Sequence, residues 1–240
     1  MLFESLRKKK RSALPDNPLD IRLRTELLNH LIARHGYRRY LEIGVRNPKD
    51  NFRYINAPEK DGVDPVARCN FRMTSDDFFR QLEATPGAPP YDLVFVDGLH
   101  LADQVVRDVE NSLRHLSDGG CIVLHDVNPA TESAQIETYV PKQPWNGTVW
   151  KAWAKLRATR ADLFMGVVDI DEGCGVIRRG SQTCFSPWPA EGDQALTYAY
   201  LVANRQPLLN LISVAEFLRL DEQFKRAAPP AAGANHSTAP

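Results

Sequence analysis

Tyr91-Asp92-Leu93-Val94-Phe95-Val96-Asp97 is a short apolar run that closes on a carboxylate. Both alternating sets of its side chains are apolar, so both of its faces must be covered. That is the signature of a parallel strand lying between layers of helices. Working outward, Cys121-Ile122-Val123-Leu124-His125-Asp126 repeats the pattern and again ends on polar groups. Upstream, Tyr40-Leu41-Glu42-Ile43-Gly44-Val45 is a third such run. Gly62-Val63-Asp64-Pro65 reads as the end of another strand, because Pro65 cannot continue a central ladder. Asn70 to Met73 reads as one further, shorter strand.

Helical spacing fills the intervals. A first helix is expected from near Pro18 and Leu19, carrying Ile21, Leu23, Leu27, Leu28, Leu31 and Ile32 and stopping at Gly36. A second is capped by Ser75 and carries Phe78, Phe79 and Leu82. A third carries Val105, Val106, Val109, Leu113 and Leu116, and Gly119 and Gly120 then break the chain. Thr148 to Arg160 is helical, with Trp150 and Trp153 in its apolar face as core residues. Phe164–Val168 and Gly175–Ile177 form a hairpin joined by Asp169-Ile170-Asp171-Glu172-Gly173, and Leu196 to Leu220 is helical with an interruption at Pro207.

Strands alternating with helices from residue 19 to about 160 imply βαβ units with right-handed crossovers. The expected fold is α/β, a Rossmann-like doubly wound sheet, mostly parallel with an antiparallel edge hairpin. The expected organisation is a basic arm over 1–18, one domain with C-terminal helices over 19–226, and a disordered tail over 227–240.

Thirty Lys and Arg balance thirty Asp and Glu in 240 residues, so no global field draws nucleic acid or an anionic membrane. The imbalance is local: residues 1–12 carry a net +4. No apolar run approaches the roughly 18 residues of a membrane span. In MLFESLRKKKR the basic residues follow the apolar ones, the wrong order for a secretory signal. Cys69, Cys121, Cys174 and Cys184 lack metal-site spacing and read as reduced thiols of a cytoplasmic protein. An oligomer is compatible with all of this.

In such sheets ligands bind outside the carboxyl ends of the strands. The polar residues there are Glu42 and Gly44, Asp64, Asp97 with His100, and His125 with Asp126. A carboxylate at the end of the second strand suits a ribose diol, since it accepts two hydroxyl hydrogen bonds. The first turn, Gly44-Val45-Arg46-Asn47-Pro48-Lys49, has one glycine and no G-x-G-x-x-G pattern, which argues against NAD and FAD. No phosphate-binding G-x-x-x-x-G-K-[ST] loop is present, which argues against nucleotide triphosphate hydrolysis.

These runs in this order resemble the successive motifs of class I S-adenosylmethionine-dependent methyltransferases. The resemblance covers roughly residues 37–180 and is greatest to a bacterial branch acting on small molecules or sugars, with Tyr91–His100 and Gly119–Asp126 matching its two most typical strands. It departs in the glycine-rich first loop, reduced to Gly44, and in Asp97-Gly98-Leu99-His100, where Leu99 replaces an acidic residue.

The resemblance implies a seven-strand sheet and S-adenosylmethionine as cofactor. Glu42 and Gly44 would lie at its methionine and ribose end, Asp64 on the ribose hydroxyls, Ser75 and Asp76 near the adenine, and Asp97 on the methionine side. The acceptor would be a small molecule or a glycan, methylated on oxygen. His100, His125 and Asp126 are the catalytic candidates, because a hydroxyl acceptor needs a base and histidine exchanges protons near neutrality. Asp97, His125 and Asp126 can together bind a divalent cation, Mg²⁺ or Mn²⁺.

Two other readings compete. Asp169-Ile170-Asp171 matches the D-x-D by which many glycosyltransferases hold a metal and a sugar diphosphate, although between two strands it reads as a turn. A non-catalytic scaffold of the same fold is the other, kept open by the shortened glycine loop. Residues 127–147, with three prolines and no periodicity, are expected to form a lid over the acceptor, with Gly147 as hinge and Trp145 as its apolar face.

Overall fold

β3 (Tyr91–Val96) lies inside a seven-stranded sheet, and all six of its residues are buried. The structure is a computed structural model and describes residues 16–224. The expected arm and tail therefore fall outside the described residues, apart from residues 16–18. There the Asp16 carbonyl accepts the Ala215 amide at 3.0 Å.

β3 pairs in parallel with β1 (Arg39–Ile43) on one side and β4 (Leu116–Leu124) on the other. Outside β1 lies β2 (Glu59–Val63), also parallel. Beyond β4 come β6 (Cys174–Arg179), antiparallel, then β5 (Leu163–Val168) and β7 (Leu211–Ile212), giving the order β2-β1-β3-β4-β6-β5-β7. Among the described residues, β6 is the one strand that runs against the others.

The period-2 alternation read in the sequence sorts the core into two layers. On one face Tyr40, Leu93, Phe95, Cys121 and Val123 pack beneath α1 (Arg24–His35) and α6 (Val214–Asp221). On the other, Leu41, Val94, Val96, Ile122 and Leu124 pack beneath α2 (Ser75–Glu83), α3 (Ala102–Arg114), α4 (Val149–Thr159) and α5 (Tyr198–Leu209). Trp150 and Trp153 are fully buried core residues. Each buried large apolar side chain contributes about 1.5–3 kcal/mol of transfer free energy. Helices on both faces of a mostly parallel sheet make the doubly wound class.

Several local expectations are corrected. α1 starts at Arg24, not near Pro18, because Asp20 sits at φ 54° and turns the chain. Leu19 and Leu23 are consequently about half exposed. Gly36 does stop the helix, at φ 64°. Residues 70–73 form no strand: one bridge joins Phe71 to Val63, since the chain between them is drawn into a turn around Asp64. The cap of α2 is Thr74, whose hydroxyl accepts the Asp77 amide, and Ser75 is the first helical residue. Gly119 and Gly120 lie within β4, where the register against β3 shifts, and Leu116 belongs to that strand rather than to α3. The helical stretch after residue 196 divides at Asn210, which adopts φ 49°, and Leu211–Ile212 then adds β7 outside β5. The hairpin is therefore one strand in from the edge. Among the described residues no helix is long and apolar enough to cross a membrane.

Candidate active site at the carboxyl edge of the sheet

The carboxyl ends of β1, β2, β3 and β4 open onto one cavity of about 910 Å³. Glu42, Gly44, Asp64, Ser75, Asp76, Asp97, His100, His125 and Asp126 all line it. Ligand pockets fall in the range of roughly 300–1,000 Å³, so this one accommodates a nucleoside-sized cofactor with room beside it.

The single glycine of the first loop has a steric reason. Gly44 adopts φ 88°, and a Cβ there would lie 2.2 Å from the Asp97 carbonyl oxygen. The loop after β1 thus crosses directly over the end of β3. Arg46, at φ 47°, turns its amide onto Asp64 Oδ2 at 2.8 Å. Val66 and Ala67 donate their amides to Asp64 Oδ1 at 2.8 and 2.7 Å. Burial opposes ionisation of Asp64, but these three amides prevail and hold its pKa below the ordinary value. Three of its roughly four acceptor positions are filled by backbone, which fixes the carboxylate at the cavity wall.

Glu42 is held differently. Tyr40 donates its hydroxyl to Glu42 Oε2 at 2.5 Å, and Asn51 Nδ2 donates to the same oxygen at 2.8 Å. Thr25 in turn donates to Asn51 Oδ1 at 2.7 Å. Burial pushes the Glu42 pKa up to about 7, against the lowering effect of those two hydrogen bonds. On the outer side, Gln104 Nε2 lies 3.2 Å from Ser75 Oγ and 3.1 Å from Asp76 Oδ1, tying α2 to α3.

The ends of β3 and β4 carry a cluster of charges. His125 Nδ1 is 3.3 Å from Asp97 Oδ1 and 3.1 Å from Asp126 Oδ2. His100 Nε2 is 3.3 Å from Asp97 Oδ1, and its Nδ1 is 3.4 Å from Asp126 Oδ2. Burial works against every charge here. The facing histidines nevertheless hold Asp97 far below the carboxylate range, and Asp97 with Asp126 raises both imidazoles. Asp126 sits at φ 61°, a strained position for a residue with a side chain. Asn146 secures it by donating to Oδ1 at 2.8 Å.

Sequence reasoning missed four contributors. Arg24 opens α1, and its Nη1 lies 3.1 Å from His125 Nε2 and 3.1 Å from Asp171 Oδ2. Asp171 comes from the β5–β6 turn, where Asp171, Glu172 and Gly173 all have positive φ. That turn docks on the chain after Asp126 through Val127 N to Gly173 O at 3.1 Å and Asn128 N to Glu172 O at 2.8 Å. Asn51 and Asn146 complete the set. Asp171 was visible in the D-x-D motif; the segment is a turn, as expected, and one of its acids also reaches the site. Asp169 instead faces Asn128 at 3.2 Å, so the two acids do not converge on one ligand as a sugar-diphosphate site requires.

The loop over 127–147 forms the outer wall. Trp145 stacks on His100 with ring centroids 4.8 Å apart, and Tyr139 meets Trp145 edge-on at 5.3 Å. Gly147 is needed for close approach: a Cβ there would lie 2.2 Å from the His100 carbonyl oxygen.

A family model described as a methyltransferase domain matches residues 25–127. Over those residues the chain is similar to a methyltransferase domain. The matched stretch runs from α1 to the residue after Asp126. No curated protein matches the chain. Among solved structures, the chain is similar to an O-methyltransferase from Bacillus cereus in complex with S-adenosylhomocysteine, at 17% identity and TM-score 0.45, over 63% of this chain and 77% of that one. It is also similar to the O-methyltransferase TomG from Streptomyces achromogenes, in complex with S-adenosylmethionine, at 19% identity and TM-score 0.47, over 65% and 78%. A third similar structure is the S-adenosylhomocysteine-bound methyltransferase PaMTH1 from Podospora anserina, at 16% identity and TM-score 0.46, over 65% and 78%.

Proposed function

We propose that the chain binds S-adenosylmethionine in this cavity and methylates a hydroxyl oxygen of a small-molecule or glycan acceptor. One observation carries the reading: acidic ends of four adjacent strands face one cofactor-sized cavity, and one of them, Asp64, is fixed by three backbone amides. Asp64 takes a ribose hydroxyl at the one acceptor position that its three amides leave open. Glu42 and Asp97 face the cationic methionine end, and Ser75 and Asp76 lie on the adenine side. When bound, the cofactor supplies an electrophilic methyl group on a sulfonium. Asp97, His100, His125 and Asp126 then orient the acceptor hydroxyl, an imidazole of the pair in its neutral form takes up its proton, and Trp145 and Tyr139 shield the site from water. A cofactor-sized cavity beside Gly44 also counts against a purely scaffolding role.

A divalent cation fits Asp97, His100 and Asp126, whose ligand atoms lie within 4.8 Å of one another. In this trio His100 takes the place that sequence reasoning gave to His125, whose Nε2 instead faces Arg24 and Asp171. Two carboxylates with one imidazole suit Mn²⁺ better than Mg²⁺. A bound cation would lower the pKa of a coordinated hydroxyl. The four free thiols suit a reducing, cytoplasmic setting.

Titration calorimetry with S-adenosylmethionine, S-adenosylhomocysteine and a nucleotide sugar tests the reading. Binding of the first two and not the third is expected. Binding of the nucleotide sugar alone would overturn it.

A further inference from the structure

Asp108 lies on α3, behind the part of the wall that carries Ser75 and Asp76, and the proposed reaction gives it no task. It is 1% exposed and does not line the cavity. A buried acid is costly unless donors satisfy it. Asp108 Oδ1 accepts from Gln104 Nε2 at 3.0 Å, whereas Oδ2 is buried with no hydrogen-bond partner.

The groups that Asp108 holds do face the cavity: Gln104 and Ser75 both line it. Gln104 Nε2 carries two protons and has three oxygens within reach. They are Asp108 Oδ1 at 3.0 Å, Asp76 Oδ1 at 3.1 Å and Ser75 Oγ at 3.2 Å. The two carboxylates win those protons over the hydroxyl, because charge-assisted hydrogen bonds are roughly twice as strong as neutral ones. Gln104 Oε1 accepts from Arg107 Nη2, so a flipped amide would set its oxygen against two acids and its NH₂ against a cation. The Ser75 hydroxyl proton is left to serve Asp108, and Ser75 together with Gln104 favours the charged carboxylate. With that proton turned away from the cavity, Ser75 has only lone pairs to offer a ligand. Asp76 spends Oδ1 on Gln104 and keeps Oδ2. These side chains then present acceptors alone.

A wall of acceptors pairs with an amino group and repels a carbonyl oxygen. We infer that Asp108 is a positioning residue: it turns the Ser75 hydroxyl and the Gln104 amide inward, so that the wall accepts an aminopurine and rejects a 6-oxopurine of the same shape. The inference rests on the proposed placement of adenine beside Ser75 and Asp76, and adds a residue that reads the base without touching it. Its charge sets the strength of that reading. Burial pushes the Asp108 pKa up to about 6, against the hydrogen bonds from Ser75 and Gln104; Asp76 adds to the rise through its charge and Arg107 opposes it. Asp76 and Ser75 face it from α2, and Gln104 and Arg107 from its own helix. Protonation removes the charge that draws the Ser75 proton inward and frees that hydroxyl to donate into the cavity.

The test is calorimetric titration with S-adenosylhomocysteine and with S-inosylhomocysteine, its 6-oxo analogue, in the wild type and Asp108→Asn. At about pH 7.5 the wild type should prefer the aminopurine by roughly 10- to 100-fold, the range for a hydrogen bond replaced by two opposed acceptors. Asp108→Asn keeps the shape and an oxygen for Gln104 but not the charge. It should cut the preference to within about threefold, by weakening the adenosyl ligand and improving the inosyl one. In the wild type the preference should fall between about pH 7 and about pH 5, as Asp108 gains its proton, and in Asp108→Asn it should stay level. Glu42 acts on both ligands alike through their shared ammonium and cancels from the ratio. A merely loosened wall would weaken both ligands and leave the ratio unchanged, and that result in Asp108→Asn would overturn the assignment. So would a wild-type ratio near one, or one indifferent to pH, results that need no variant to fold. Failure of the wild type to bind S-adenosylhomocysteine at all would overturn the proposed function itself and this inference with it.

Discussion

The two halves of the cavity are built by different means. At the end of β2, Asp64 is fixed by three backbone amides from residues 46, 66 and 67, all within 18 positions of it. At the ends of β3 and β4, side chains hold one another: Asp97, His100, His125 and Asp126 meet Arg24 and Asp171, from elements up to 147 positions apart. The first half is set by local backbone geometry and tolerates change elsewhere. The second is a network of opposed buried charges, in which losing one member leaves the others uncompensated.

That contrast gives its largest effect at Asp97. Asp97→Ala leaves His125 and His100 without the acid that both face, and should lower unfolding free energy by about 3–5 kcal/mol by chemical denaturation. The sign with pH follows from the raised imidazole pKa of His125. The stabilisation is full below the ordinary histidine pKa and fades as pH rises through the folded value, so the gap between wild type and variant should narrow in alkali. A gap of less than about 1 kcal/mol at pH 6 would remove the network.

At the other half, Asp64→Ala should weaken S-adenosylhomocysteine by about 1.5–3 kcal/mol in a calorimetric titration. Unchanged affinity would show that the ribose lies elsewhere. Glu42 joins the halves and should make binding depend on pH. Burial raises its pKa to about 7, so it gains its charge as pH rises through neutrality. Affinity for the ammonium-bearing cofactor should therefore climb between about pH 6 and 8, and Glu42→Gln should flatten that slope. A slope that persists in the variant would assign the titration to another group.

The smallest effect is expected at Trp145. Trp145→Ala should leave S-adenosylhomocysteine affinity within about twofold, while raising the acceptor KM or lowering kcat. Equal loss of cofactor and acceptor binding, with the fold intact, would move the outer loop to the cofactor half.

The same contrast explains what the sequence made legible. The strand ends were readable because buried parallel strands are continuous apolar runs, and the polar residue closing each run marks the sheet's carboxyl edge. Glu42, Asp64, Asp97 and Asp126 were found in this way. Asn51, Asn146 and Arg24 were not, since a polar residue in a loop or at a helix start carries no periodic signal of where it points. Asp171 was seen and assigned to a turn, which it occupies; only tertiary docking of that turn brings its carboxylate to Arg24 and His125. The short strand expected at 70–73 is reduced to a single bridge, since after the turn around Asp64 only Phe71 comes alongside Val63. The start of α1 was misplaced by an apolar pattern that continues through Ile21 and Leu23, across the turn at Asp20.

The central claim is that the cofactor lies along the carboxyl edge with its ribose on Asp64 and its sulfur facing the charged cluster. A crystal structure with S-adenosylhomocysteine tests it most directly. The account predicts one ribose hydroxyl within about 3 Å of Asp64 Oδ2, the oxygen that accepts only one backbone amide. It also predicts the sulfur turned toward Asp97, His100 and Asp126. A ligand bound outside the cavity beside Gly44, or one whose ribose does not reach Asp64, would contradict it.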